Sequence, residues 1–216
     1  MSRHYYDLKY PYLCYHYTDD DGSFIMFSVP PVLLAKTFEI YFHKKPKNFF
    51  DCGAAVGVII QLAMDCGMDA YGIDIKKYPP QQQSRFYIKN QKLLISYPNF
   101  RLQDFYNSGR IQIKSILDCE PINTDIVYCN GVLTYFDEQT LPNVLSKFKN
   151  IGMLFAIHNT TEDIIAAKRM GETLGTCNKP RIIKPNKWWI NTFNKNGFNT
   201  IYDHTLKTFI AIPRQR

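Results

Sequence analysis

The stretch that decides the fold is NFFDCGAAVGVIIQLAM, residues 48–64. An apolar run ends in an acid, a turn of small residues with two glycines follows, and a second apolar run begins. Near-continuous apolar runs are typical of strands that a parallel sheet buries on both faces. Gly53 and Gly57 permit the backbone conformations of a tight turn. The stretch therefore predicts a buried strand, a glycine turn and a helix packed on the sheet.

Strand-like and helix-like segments alternate outward from this stretch. Buried strands are predicted at 69–75, 110–117, 124–133 and 152–159, and a terminal hairpin at 199–205 and 207–213. Helices are predicted at 31–42, 56–67, 83–96, 137–150 and 188–198. Such alternation indicates right-handed crossovers and a parallel sheet. We expect an α/β fold with a doubly wound, mostly parallel seven-stranded sheet and a C-terminal antiparallel hairpin strand.

Length and composition indicate one ordinary domain. The chain has 216 residues, 45% of them hydrophobic, and a formal net charge of +7, which permits acidic partners without requiring them. Residues 1–30 are rich in tyrosine and are predicted to form an arm or lid, and 31–216 the main domain. Six scattered cysteines without a CxxC pair predict free thiols in a reducing compartment. No signal peptide or membrane span is apparent, so we expect a cytoplasmic protein without a membrane partner.

The glycine turn also indicates a class of ligand. Asp51 begins the pattern D-x-G-x-x-x-G, which differs from the GxGxxG turn that cradles a pyrophosphate. An acid at the exit of the strand favours a ligand with an ammonium or sulfonium group. Asp74 ends the next predicted strand, 23 residues after Asp51. An acid at this distance and place accepts hydrogen bonds from ribose hydroxyls in nucleotide-binding folds.

The sequence here resembles the class I S-adenosylmethionine-dependent methyltransferases. The resemblance is carried by FFDCGAAVG, YGIDI, TDIVYCNGVLTYF and the closing WWINTFNKNGFNTIYDHTLKTFIAIP, in the family's order, and covers roughly 31–216. It implies S-adenosyl-L-methionine as cofactor and S-adenosyl-L-homocysteine as product. The residues that it places at the cofactor are Asp51, Gly53, Ala54, Ala55, Gly57, Asp74, Ile75, Leu117, Asp118, Asn130 and Gly131.

The methyl acceptor is less well defined by the sequence. A general base is useful when the acceptor must lose a proton. His158, Tyr128 and Tyr135 are the catalytic candidates, with structural roles as the alternative for each. The loop CNGVLTYF lacks the D/N-P-P-Y/F segment of amino-methylating DNA enzymes and the Cys-Pro of cytosine-C5 enzymes. A small-molecule acceptor is therefore favoured.

Other functions stay open. KPRIIKPNKWW, residues 179–189, could bind RNA through basic and aromatic side chains, or its tryptophans could begin a helix. A protein side chain is a further possible acceptor. A non-catalytic cofactor-binding scaffold or partner subunit is an alternative of another class. No metal site is predicted, because His16 and the acids at 19–21 have no second cluster of ligands beside them.

Overall fold

The structure is a computed structural model that describes residues 13–19, 22–78, 84–88, 94–97, 102–157, 160–169 and 182–214. The chain divides into two compact units, Met1–Ser115 and Ile116–Arg216. The first unit contains β1 (Leu13–Asp19), β2 (Gly22–Ser28), α1 (Pro31–Phe42), β3 (Asn48–Cys52), α2 (Val58–Asp65), β4 (Asp69–Asp74), β5 (Ser84–Ile88), β6 (Leu94–Tyr97), α3 (Leu102–Asn107) and β7 (Ile111–Ile113). The second contains β8 (Ile126–Asn130), α4 (Leu141–Ser146), β9 (Met153–Ile157), α5 (Thr161–Arg169), α6 (Asn186–Lys195), β10 (Phe198–Asp203) and β11 (Thr208–Pro213).

The main sheet has seven strands in the order β10-β11-β9-β8-β3-β4-β7. In the first unit β3, β4 and β7 pair in parallel, and in the second unit β8 and β9 do so. The C-terminal strand β11 is antiparallel to both of its neighbours, β9 and β10. The predicted doubly wound sheet with a C-terminal antiparallel strand is thus confirmed.

In the first unit, the sequence NFFDCGAAVG folds as its pattern predicts. The side chains of Phe49 and Phe50 are buried in β3, and α2 buries most of its apolar residues. Gly57 begins α2 with φ +75, a left-handed conformation that side chains rarely adopt. A Cβ atom there would lie 2.7 Å from Cδ2 of Phe105, so a larger residue would displace this ring at the junction of α2 and α3 and would also strain the backbone.

A second sheet was not predicted. The helix predicted at 83–96 is wrong, because β5 and β6 occupy this stretch and join β1 and β2 in the antiparallel order β2-β1-β5-β6. SRFYI and LISY are rich in aromatic and β-branched residues, and these favour strands once partner strands are available. The predicted division into 1–30 and 31–216, with the first part as a lid, stays a prediction.

Two further features of the structure differ from the sequence analysis. The strand predicted at 110–117 is shorter, because β7 ends at Ile113 and a 3₁₀ turn over Ile116–Asp118 follows. The helix α3 was not predicted, since only Leu102 and Phe105 of its six residues are buried and its apolar pattern is weak.

The second unit has an aromatic core between α6 and the terminal hairpin. The rings of Trp189, Phe193 and Phe209 lie with centroids 5.9–6.3 Å apart, and all three side chains are fully buried. Phe198 packs edge-on against Phe193. This burial explains why the predicted C-terminal helix and hairpin form as expected. Across the described ranges, no helix is long and apolar enough to cross a membrane.

Candidate functional site

In the first unit, two acids lie at the carboxyl ends of neighbouring parallel strands. Asp51 is in β3 and Asp74 ends β4, and both side chains are buried, Asp51 with only 2% of its surface exposed. Burial, and secondarily the negative charge of Asp74, raises the pKa of the Asp51 carboxyl group to about 8. Within the described part of the chain, no hydrogen bond or cation offsets these two effects. Asp51 is therefore a buried acid that a cationic group would stabilise in its charged form.

The carboxylate of Asp74 is held by backbone amides. Its Oδ2 accepts a hydrogen bond from the Ala55 N–H at 2.8 Å, and its Oδ1 accepts one from the Lys76 N–H at 2.9 Å. Burial raises the pKa of Asp74, and these amides partly oppose the shift because they favour the ionised form. The hydrogen bonds fix the orientation of the carboxylate, which still has lone pairs for hydroxyl donors.

The turn between β3 and α2, residues 53–57, is called the cofactor turn below. The N–H groups of Gly53 and Ala54 both donate to the carbonyl oxygen of Ile73 at 2.9 Å, which fastens the turn to the end of β4. At Gly72 an added Cβ would lie 2.4 Å from the backbone oxygen of Asp51. Close approach of β3 and β4 thus depends on glycine at position 72.

Ala55 has a conformation that the sequence pattern does not reveal. Its φ is +44, in the left-handed region that disfavours side chains with a Cβ atom. This conformation accompanies the hydrogen bond from its N–H to the Asp74 carboxylate, which closes the turn over the acid. Ala55 therefore has a strained backbone conformation within the turn that contacts Asp74.

Ile75, next to Asp74, is 74% exposed. An exposed isoleucine beside an acid that can bind a ribose offers an apolar surface for the attached base. The buried acids, the narrow turn and this apolar surface fit a nucleoside that carries an amino-acid cation. No group of three or more His, Cys, Asp or Glu residues in the described ranges could hold a metal ion.

The second unit contains the other predicted site residues. Asn130 ends β8 and is half-buried, and the Gly131 N–H that follows donates to the Ile157 carbonyl oxygen at 2.7 Å. Leu117 is half-buried and Asp118 is exposed, both in the 3₁₀ turn that follows β7 in the chain. Their contacts with adenine, and those of Asn130 and Gly131 with the methionine part, stay predictions.

The three catalytic candidates differ in their accessibility. Tyr128 is fully buried in β8, a placement that favours its structural alternative. Tyr135 is 45% exposed, in a 3₁₀ turn over Leu133–Tyr135 after β8. His158 lies outside the described residues. Of the two candidates that the structure describes, Tyr135 is the one with a solvent-exposed side chain.

Residues 182–185, called the strap below, precede α6. Within it, Lys184 lies between the Glu138 carboxylate, with Nζ 2.7 Å from Oε1, and the Trp188 ring, with Nζ 5.4 Å from the centroid. Trp189 is fully buried and Trp188 is half-buried. These contacts favour the interpretation that the tryptophans begin a helix, since the Lys184 charge is already matched. The sequence pattern had no signal for the pairing of Lys184 with Glu138, because the two residues are far apart in the chain.

Comparison with known proteins gives matches at the level of structure. No protein-family model matches the sequence, and no curated protein matches it significantly. One match is a Burkholderia thailandensis 1,6-didemethyltoxoflavin-N1-methyltransferase with bound S-adenosylhomocysteine. It aligns with 86% of this chain and over 79% of its own length, at 9% identity and TM-score 0.55. The Synechocystis magnesium protoporphyrin IX methyltransferase aligns with 86% of this chain and over 83% of its own length, at 15% identity and TM-score 0.51.

The small RNA methyltransferase HEN1 aligns with 86% of the chain at 13% identity and TM-score 0.56. The chain spans only 25% of HEN1 and 55% of the pyocyanin biosynthetic protein PhzM, another structure with the same fold. These likenesses show that the chain has the class I methyltransferase fold.

Proposed function

We propose that the protein is an S-adenosylmethionine-dependent methyltransferase that acts on a small molecule. The single observation that carries the proposal is the buried pair of acids, Asp51 and Asp74, on either side of a turn with a strained alanine. Solved methyltransferases of this fold contain S-adenosylhomocysteine, which supports the same cofactor here.

Each part of the cofactor has a counterpart in the first unit. The oriented Asp74 carboxylate accepts hydrogen bonds from the ribose hydroxyls, and Ile75 packs against the base. Asp51 stabilises the cationic amino-acid end, directly or through a water molecule. Asn130 and Gly131, from the second unit, are assigned to the methionine part on the family resemblance alone. When bound, the cofactor supplies an electrophilic methyl group on a sulfonium.

The residues of the chain then need only to hold an acceptor in line with that methyl group. Among the catalytic candidates that the structure describes, Tyr135 has the exposed hydroxyl-bearing side chain, and His158 stays a candidate for a base. Acceptors with a readily lost proton need no base. The proposal therefore assigns catalysis mainly to binding and orientation.

A dinucleotide is disfavoured by the same acids. A pyrophosphate on this turn would bring negative charge to Asp51, a carboxyl group with only 2% of its surface exposed. The ammonium of an amino acid reverses this penalty. The two kinds of ligand can be separated by a binding measurement.

The test is a calorimetric titration with S-adenosylmethionine, S-adenosylhomocysteine and NAD. We expect micromolar binding of the first two and none of NAD. Asp74→Asn should weaken binding at least about tenfold, because a hydrogen bond to a charged group is worth about 1.5–3 kcal/mol. Asp104→Asn, which changes an exposed acid of the same unit, is the matched control. Folded protein that binds neither sulfur compound would contradict the proposal.

The alternatives are separated by product formation. A methyltransferase releases S-adenosylhomocysteine when its acceptor is supplied, whereas a non-catalytic scaffold binds the cofactor without turnover. An RNA methyltransferase would transfer methyl groups to RNA, with binding that weakens steeply as salt rises. Small-molecule pools and RNA, assayed in parallel with radiolabelled cofactor, distinguish these functions.

A further inference from the structure

The strap is hydrogen-bonded to two other segments of the second unit, the 3₁₀ turn after β8 and the first residue of α5. The Ile182 N–H donates to the Thr134 carbonyl oxygen at 2.9 Å, and the Thr161 N–H donates to the Lys184 carbonyl oxygen at 3.2 Å. Thr134 follows β8 and Thr161 follows β9, and these two strands are parallel neighbours. The strap therefore lies at the carboxyl ends of β8 and β9, the edge where open parallel sheets bind ligands.

Side-chain contacts hold the strap at further points. Lys184 pairs with Glu138, which lies beyond the loop after β8, and covers the Trp188 ring. Directly after the strap, the Asn186 N–H donates to both carboxylate oxygens of Glu162 at 3.1 and 3.2 Å. These attachments hold the backbone of the strap at several points.

Two large side chains are held at the surface by this arrangement. Ile183 is 44% exposed although its neighbour Ile182 is buried, and Tyr135 is 45% exposed. A backbone hydrogen bond joins Ile182 to Thr134, and Ile183 and Tyr135 are the next residues in the chain after these two. Single exposed apolar residues are common on proteins. A branched apolar side chain and an aromatic ring brought to neighbouring backbone positions, at a ligand-binding edge, indicate a surface that a ligand covers.

We propose that Ile183 and Tyr135 form an apolar wall of the acceptor site and select a small, planar, uncharged aromatic molecule. The identification of that molecule as the methyl acceptor rests on the proposed function. A flat ring stacks on Tyr135 and covers the branched face of Ile183. The ammonium group of Lys184 is matched by Glu138, so the strap offers no unmatched cation there for a phosphorylated acceptor.

The probe is 2-naphthol, a planar neutral phenol, titrated into the full chain and followed by ligand-observed NMR. Ile183→Asp should weaken the binding of 2-naphthol at least about fivefold. The introduced carboxylate is hydrated, and the bound ring would have to displace that water. Ile183→Leu should retain binding. The matched control is Ile201→Asp, which alters a 49% exposed isoleucine on β10 and should bind like wild type. Tyr135→Phe should also retain binding, whereas Tyr135→Ala should weaken it.

Two results would overturn the proposed wall. One is folded wild-type protein that does not bind 2-naphthol, and the other is an equal loss of binding in Ile183→Asp and Ile201→Asp. S-adenosylhomocysteine binding, measured on the same variants, should be unchanged in Ile183→Asp. If wild type binds 2-naphthol at the wall but never binds S-adenosylhomocysteine, the proposed function fails while the ligand site stands.

Discussion

The loops after β3 and after β8 each follow a parallel strand, yet the first encloses polar groups and the second presents apolar ones. The cofactor turn encloses two buried acids and fixes them with backbone amides. The loop after β8 instead presents the partly exposed Tyr135 and is fastened to the strap, which presents Ile183. A polar enclosure suits a charged, hydroxylated ligand, and an apolar surface suits a flat uncharged one. Under the proposed function, charge and hydrogen bonds recognise the cofactor, whereas apolar contact recognises the acceptor.

The largest effect on stability is expected where β3 approaches β4 most closely, just before the cofactor turn. Gly72→Ala places a Cβ atom 2.4 Å from the Asp51 backbone oxygen. We expect the free energy of unfolding to fall by about 3 kcal/mol, since backbone must move to relieve the overlap. Gly67→Ala is the control. Its Cβ meets nothing within 4 Å and its φ is +86, so backbone strain alone should cost about 1 kcal/mol. Urea denaturation compares the two variants, and equal losses would refute the close approach.

The second prediction concerns the pH dependence of the buried acid. The pKa of Asp51 in the fold is about 8, above its ordinary value of 3.8. Its contribution to stability is therefore complete below about pH 4 and is lost as pH rises through 8. Without ligand, wild type should unfold more easily at pH 9 than at pH 6. Asp51→Asn should show a smaller change in unfolding free energy over this range.

Ligand binding should have the opposite pH dependence. A cationic amino-acid group favours the ionised form of Asp51, so the affinity for S-adenosylhomocysteine should rise at least about fivefold from pH 6 to pH 8. Calorimetry at the two pH values tests this expectation. Asp51→Asn should flatten the profile, and an unchanged profile in that variant would remove Asp51 from cation recognition.

A smaller effect is expected at the strained alanine. Ala55→Gly relieves a left-handed conformation that costs about 1–2 kcal/mol, while the unfolded chain gains about 0.5–1 kcal/mol of entropy. The net stabilisation should be about 1 kcal/mol or less. Ala54→Gly is a matched control, because Ala54 is buried and has no positive φ, and it should destabilise. Thermal unfolding of both variants gives the comparison, and stabilisation by Ala54→Gly alone would contradict it.

The smallest effect on stability is expected at the strap. Glu138→Gln removes the charge that pairs with Lys184 in a partly exposed ion pair, so the unfolding free energy should change by less than about 1 kcal/mol. A larger loss in urea denaturation would mean that the strap supports the whole second unit. The strap would then no longer be a locally fastened ligand wall.

The cofactor turn was predictable from sequence because its signals are local. An apolar strand, an acid, two glycines and a second acid after the next strand fall within residues 48–75, and the structure brings Asp51 and Asp74 together at the turn. The strained φ of Ala55 was not predictable, since alanine does not signal a left-handed conformation.

Longer-range features could not be predicted in the same way. The strap depends on a hydrogen bond between Ile182 and Thr134 and an ion pair between Lys184 and Glu138, both between residues far apart in the chain. The stretch of β5 and β6 resembles a helix in sequence, because β5 needs β1, from the other end of the first unit, as a partner before β6 can add to the sheet. Short segments adopt the structure that their packing partners favour, and local sequence patterns do not identify those partners.

The most direct test of the central claim is a crystal structure of the complex with S-adenosylhomocysteine. The account predicts ribose hydroxyls within hydrogen-bond distance of the Asp74 carboxylate, the base against Ile75 and the amino-acid end at the cofactor turn near Asp51. A ligand bound away from residues 51–57 and 74–75, or a ribose with no contact to Asp74, would contradict it.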